Sequence, residues 1–166
     1  MTAVRIHTII FEYENGLEEF GMNAELLLTD LNRELKELNS LYREAADEIG
    51  ISYMIFEILY YIALYGEGGT QKEICDYTHY SKSSVNSAMK KLVEGRYAYL
   101  EENYGRKDIY LTDRGRSVIR EYIDPLINKE IEVVDAMGEE AEQLLEGYRT
   151  YIRIFKEKTE NSEDED

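Results

Sequence analysis

The stretch from Thr70 to Gly115 constrains this chain most, because its punctuation leaves little freedom in how it can fold. It reads TQKEICDYTHYSKSSVNSAMKKLVEGRYAYLEENYGRKDIYLTDRG. Thr70 followed three residues later by Glu73 is a capping box: the hydroxyl accepts from the third helical N–H and the carboxylate reaches back. That predicts a helix to about Tyr77. Thr78, His79 and Tyr80 make a tight turn. Ser81 can cap a following helix that runs to about Glu94. Tyr97–Glu101 and Asp108–Thr112 are rich in aromatic and β-branched residues and read as short strands. Glu102 to Lys107 form the tip between them.

The helix from Ser81 divides into two faces. Val85, Ala88, Met89, Leu92 and Val93 recur at helical spacing and point to a core. Ser83, Asn86, Ser87 and Lys90 point the other way. A solvated face is ordinarily rich in Glu and Lys, whereas this one carries hydroxyls, an amide and lysines, with its acid, Glu94, at the far end. Small side chains let a helix lie deep in a groove, and Ser and Asn can bond base edges. Two helices a tight turn apart followed by a hairpin form a winged helix-turn-helix, which seats its second helix in the major groove of DNA.

Charge bears on that reading. The chain of 166 residues has a formal net charge of −16, which taken alone argues against a nucleic-acid partner. From Thr70 to Arg120, however, there are ten Lys/Arg against seven Asp/Glu, a net of +3, and the remainder carries −19. The local figure governs phosphate contact and the global one governs solubility.

The flanks predict a mostly α protein with a small two- or three-stranded β-wing. Residues 1–16 fit neither helical nor strand period and read as an arm that packs on a partner subunit. From about Leu17 to Ile49 the apolar positions Ala24, Leu28, Leu31, Leu35, Leu38, Tyr42, Ala45 and Ile49 alternate steps of four and three. That is a stripe of coiled-coil type. A helix of about 33 residues would be ~50 Å long, more than a small globule needs to cover itself. Gly50 stops it, and Ser52 can cap the next helix, with Ile55, Ile58, Leu59, Ile62 and Ala63 facing its core. A glycine-rich turn, Tyr65 to Gly69, follows. Thr112 can cap a long helix from Asp113 to about Met137, which Pro125 should kink or split. A last helix carries Ala141, Leu144, Leu145, Tyr148, Ile152 and Phe155 on one face. The expected organisation is one domain over 1–166: a winged lobe at 51–112, dimerisation helices at 17–50 and 113–158, and an acidic disordered tail at 159–166. No export signal or membrane span is visible and Cys75 is the sole cysteine, so a cytoplasmic protein with no membrane partner is expected.

The phrases QKEI, SSVNSAMKKLVEGRYAYL and GRKDIYLTDRG are similar to those of the MarR family of bacterial transcription regulators, over roughly residues 17–158. The resemblance implies a homodimer whose two winged lobes straddle double-stranded DNA at a pseudo-palindromic operator, with repression the commoner mode. It implies DNA contacts by Ser81, Lys82, Ser83, Ser84, Asn86, Ser87, Lys90 and Lys91 of the recognition helix. Arg106 is the best match to the arginine that the family's wing places in the minor groove, with Lys107 beside it. Lys72, in QKEI, completes the candidate set. The family often has an aspartate just before that arginine, where this chain has Gly105.

Other features carry two readings. Tyr42, Tyr53, Tyr60, Tyr61 and Tyr65 are either core and interface packing or a pocket for a small aromatic effector. Cys75, at an apolar position beside Ile74, reads as a core thiol; the resemblance implies that a redox sensor would lie in or near the N-terminal helix, where Cys75 does not. His7 and His79 are too few and too distant for zinc. No nucleophile elbow, phosphate loop or dinucleotide fingerprint is present, so neither an enzyme nor a cofactor is expected. The alternative to a regulator is a winged-helix protein-interaction module without operator binding.

Overall fold

A computed structural model describes residues 23–160, and the chain divides after Phe56 into two compact units. The first holds helix α1, Ala24–Ile49. The Asn23 side chain accepts from the N–H groups of Glu25 and Leu26 at 2.9 and 3.1 Å, satisfying donors that a helix start leaves open. Gly50 ends the helix at φ 75°, a left-handed conformation that glycine adopts without a Cβ clash. Of the residues in α1 only Ala46 is buried, while Leu28 and Leu38 of the expected stripe are about half exposed. Residues 1–22, which include the expected arm and the expected first turns of this helix, lie outside the described residues. Helix α2, Tyr53–Tyr65, begins in the first unit and ends in the second.

The second unit continues with strand β1 (Gly69–Thr70), helices α3 (Gln71–Thr78) and α4 (Lys82–Glu94), and strands β2 (Ala98–Asn103) and β3 (Arg106–Leu111). The antiparallel sheet has the order β1-β3-β2. Ile58, Leu59, Ile74, Val85, Leu92 and Ile109 are among its fully buried side chains. The expected glycine turn therefore ends in a strand: Gly69 pairs with Ile109 and Thr70 with Asp108. Two residues are too few to show a period in sequence.

The wing also differs from expectation. Its strands extend through polar residues to Asn103 and Arg106, so the six-residue tip shrinks to Tyr104 and Gly105. Both have positive φ, 52° and 76°, as a two-residue hairpin turn of type I′ requires. Glu102 pairs with Lys107 and Asn103 with Arg106. Their ladder bonds are satisfied whatever their polarity, which is why composition did not mark them as strand.

At the base of the wing sits the LTDRG corner. The Thr112 N–H donates to the Tyr97 carbonyl at 3.0 Å, and its hydroxyl donates to the Arg96 carbonyl at 2.5 Å. The same hydroxyl oxygen accepts from the Gly115 N–H at 3.1 Å, capping helix α5, Asp113–Val118. A Cβ on Gly115 would lie 2.0 Å from the Tyr97 carbonyl oxygen, so nothing larger than glycine fits. Beside the corner, Glu67 accepts from the Leu111 N–H at 2.8 Å and ion-pairs with Arg116 of α5.

The long helix expected after Thr112 is indeed split by Pro125. A π-helical turn, Ile119–Ile123, separates α5 from α6, Asp124–Met137, and the proline falls in the first turn of α6. Proline lacks an N–H and its ring crowds the carbonyl four residues back. The wider turn, in which the Asp124 N–H bonds to the Ile119 carbonyl, relieves that crowding. Helix α7 spans Glu139–Glu160. Thr159 and Glu160, expected in the disordered tail, continue this helix, with the Thr159 hydroxyl bonding back to the Phe155 carbonyl at 3.1 Å. Residues 161–166 lie outside the described residues. Among the described residues no single helix is long and apolar enough to cross a membrane.

Gly115→Ala should destabilise the protein by about 3 kcal/mol, because the added methyl meets a backbone carbonyl that cannot move aside. Urea denaturation of the two proteins measures the difference.

Candidate nucleic-acid interface

Helix α4, the expected recognition helix, is placed by its two neighbours. His79 closes α3 in the left-handed region, φ 55°, with its N–H on the Cys75 carbonyl at 2.9 Å. Thr70 and Glu73 form the expected capping box, in which the carboxylate accepts from the Thr70 N–H at 2.6 Å. The Gln71 side chain donates to the Lys82 carbonyl at 3.3 Å, tying the start of α3 to the start of α4. Val85, Ala88, Met89 and Leu92 are buried and fix the rotation of α4 about its axis.

That rotation exposes Ser81, Lys82, Ser83, Asn86, Ser87, Lys90 and Lys91, while Ser84 is half-buried. Not all of these hydroxyls are uncommitted. Ser81 Oγ accepts from the Ser84 N–H and lies 3.0 Å from Ser83 Oγ and 2.9 Å from Ser84 Oγ. Ser87 donates to the Ser83 carbonyl at 3.0 Å. Ser81 and Ser84 thus start the helix, and Asn86 and the lysines are the long polar groups that face outward. Lys72 is exposed on α3.

Val93, expected in the core, is 38% exposed. It sits at the last turn of α4 and lines a groove of about 270 Å³ between α4 and the wing. Met89, Val93, Leu100 and Ile109 give that groove apolar surface, and Gln71, Asn86, Lys90, Glu94 and Lys107 supply its polar groups. The groove brings Lys107 to the Asn86–Lys90 side of the recognition helix.

Arg106 does not share that location. Alternation along β3 sends neighbouring side chains to opposite faces. Its Nε lies 2.6 Å from Asp108 Oδ1, and its terminal nitrogen donates to Oδ2 at 3.2 Å. Asn103 donates to the same Oδ2 at 3.1 Å. Arg106 is therefore not a free cation at a loop tip. It is a strand residue whose guanidinium is oriented by a carboxylate only 3% exposed. Arg106 and Asn103 hold the Asp108 carboxyl below the usual carboxylate range, and the ion pair raises Arg106 in turn. Hydrogen bonds from Thr70, backbone first and then hydroxyl, hold Glu73 down as well. Sequence reading missed Asp108, Asn103 and Gln71. The signal for the first was the Arg-x-Asp spacing, which puts both residues on one face of a strand.

The tyrosines fall into two groups. In the first unit Tyr53 stacks on Phe56 at 6.4 Å, Tyr42 lies 6.5 Å from Phe56, and the Arg43 guanidinium sits over the Tyr53 ring at 4.6 Å. In the second unit Tyr60 donates to Glu130 at 2.6 Å. Tyr61, Tyr65 and Tyr77 pack ring against ring, with centroids 4.9 to 5.6 Å apart. Burial raises the Tyr61 and Tyr77 phenols above their usual range. Cys75 is half-buried. Among the described residues no cluster of His, Cys, Asp and Glu could hold a metal ion.

A helix pair with an exposed second helix, closed by a three-stranded wing, defines a winged helix-turn-helix protein. Residues 49–107 match the MarR family, and the chain carries the winged helix-turn-helix of that family. Among curated proteins no sequence matches. Solved structures agree on the fold. A MarR family regulator from Neisseria meningitidis is 19% identical, covers 85% of this chain and 99% of its own, and superposes with a TM-score of 0.65. A MarR/EmrR family regulator from Acinetobacter sp. ADP1 is 20% identical, with 82% and 99% covered and a TM-score of 0.62. The Staphylococcus aureus regulator MepR, in its complex with DNA, is 18% identical, with 79% and 96% covered and a TM-score of 0.57.

The two depressed carboxyls set a pH dependence. Asp108 and Glu73 have folded values below their unfolded ones, so the stability they contribute is complete above about pH 5 and is lost as pH falls through the unfolded and then the lower folded values. Asp108→Asn should therefore flatten the acid limb of a thermal-melting profile recorded from neutral pH downwards.

Proposed function

We propose that this chain is a dimeric, sequence-specific DNA-binding transcription regulator. The observation that carries this reading is the outward face of α4: Lys82, Asn86, Lys90 and Lys91 beside Lys107 of the wing, with its acid confined to Glu94 at the end. A helix held rigidly by its buried face and edged by cations can bond base edges through Asn86 and phosphates through the lysines. The MepR neighbour is a DNA complex of the same fold.

Dimerisation through 17–50 and 113–158 is supported by the surfaces of those helices. Neither α6 nor α7 has a buried residue. Ile131, Val133 and Val134 of α6 and Leu144, Leu145, Ile152 and Phe155 of α7 are 49 to 59% exposed. Apolar area of that extent on a soluble chain marks an interaction surface. Operator occupancy would then repress transcription. Release by a small aromatic effector belongs to the same reading and is supported by Tyr65, 64% exposed at the edge of its three-ring cluster.

Light scattering at micromolar concentration should give twice the chain mass of 19.5 kDa, and a monomer would contradict the dimer. In mobility-shift assays with promoter DNA from its own gene neighbourhood, Asn86→Ala should weaken specific binding by roughly 1–3 kcal/mol and leave random DNA nearly unaffected. Lys90→Ala or Lys107→Ala should instead weaken both and lower the slope of log K against log salt by about one. Absence of any DNA binding would favour the protein-interaction module.

A further inference from the structure

Strand β1 is shorter than the strand it serves. Its two residues pair with Ile109 and Asp108, and the Gly68 N–H adds a bond to the Ile109 carbonyl at 2.8 Å. Alternation along β3 points the Leu111 N–H to the same side, beyond the end of β1. A side chain fills that rung. One Glu67 oxygen accepts from the Leu111 N–H at 2.8 Å, and the other pairs with Arg116 of α5. A single carboxylate thereby clamps the β1 side of the wing's base to the helix that leaves the lobe.

Glu67 is carried on a hinged loop whose two ends abut the tyrosine cluster. It stands between Gly66 at φ 90° and Gly68 at φ 88°, and open space surrounds the Cβ position of Gly66. Such glycines exchange between backbone conformations without a Cβ clash. Tyr65, the last residue of α2, enters the loop. Gly69 closes it against Tyr61, whose ring lies 3.3 Å from where a Cβ would stand. Tyr61 and Tyr65 pack with centroids 4.9 Å apart, and both pack on Tyr77. The rings therefore fix where the loop begins and where it ends, and the clamp sits midway between. Its bond to Leu111 depends on that placement, because a hydrogen bond weakens steeply once its distance and angle depart from the optimum.

We propose that Glu67 is a positioning residue, and that residues 66–69 form a strap through which the tyrosine cluster sets the direction of the wing. While the rings stay packed, the carboxylate holds Leu111 and Arg116. When Tyr65 leaves the cluster, the strap swings about its glycines and the carboxylate withdraws. The β1 side of the wing's base then comes free of α5, while the ladder between β2 and β3 stays intact. The proposal rests on the effector reading above, since a ligand seated among the rings is what would move Tyr65.

Amide hydrogen exchange followed by NMR on the whole chain, with neither DNA nor effector present, tests the strap. Exchange at Leu111 reads the clamp. Exchange at Tyr110, whose N–H points to β2 by alternation, reads the hairpin itself. Glu67→Ala should speed exchange at Leu111 about tenfold and leave Tyr110 unchanged. Tyr65→Ala removes no group that touches β3, yet it should speed Leu111 by roughly threefold or more, again without effect on Tyr110. Combining the two should add nothing to Glu67→Ala alone, as expected of groups acting through one clamp. If Tyr65→Ala leaves Leu111 as slow as in the parent, or speeds Tyr110 equally, the strap is overturned. Should Glu67→Ala fail to fold, Tyr65→Ala decides alone, because its ring is already exposed. A negative result leaves the effector reading intact, since no effector enters the measurement.

Discussion

The close approach of Gly115 to the Tyr97 carbonyl is the contact on which the winged lobe depends. Tyr97 follows directly on the end of α4, where its N–H bonds to the Leu92 carbonyl at 3.0 Å. Its own carbonyl accepts from Thr112, at the end of β3, and lies against the first turn of α5. The backbone of one residue thereby joins α4, the wing and the helix that leaves the lobe. Glu67 braces the same corner through the Leu111 N–H and Arg116. With these in place, the rotation of α4 and the direction of the wing are not independent.

That coupling gives meaning to an otherwise unpromising charge. A net of −16 repels DNA at long range, so the proposed binding would have to come from a few cations held in fixed positions. The fold places Lys90 and Lys107 on either side of one groove, although 16 residues separate them in the chain. It also turns Arg106 to the opposite face and ties it to Asp108. A buried carboxylate lowers the net charge of the wing but orients the guanidinium, which exchanges electrostatic reach for a defined direction.

Local signals and tertiary ones separate cleanly here. The sequence by itself determined the capping box at Thr70 and Glu73, the Ser81 cap, the Gly50 stop, the division of α4 into two faces and the break near Pro125. Each depends on residues within four positions of one another, where helix geometry alone fixes who meets whom. Tertiary structure alone decided the pairing of β1 with β3, the two-residue wing turn, the exposure of Val93 and the opposite faces of Arg106 and Lys107. Those outcomes follow from hydrogen-bond partners and packing surfaces brought from distant parts of the chain. Glu102 or Arg106 looks like loop in composition until a strand lies beside it to accept and donate its backbone bonds.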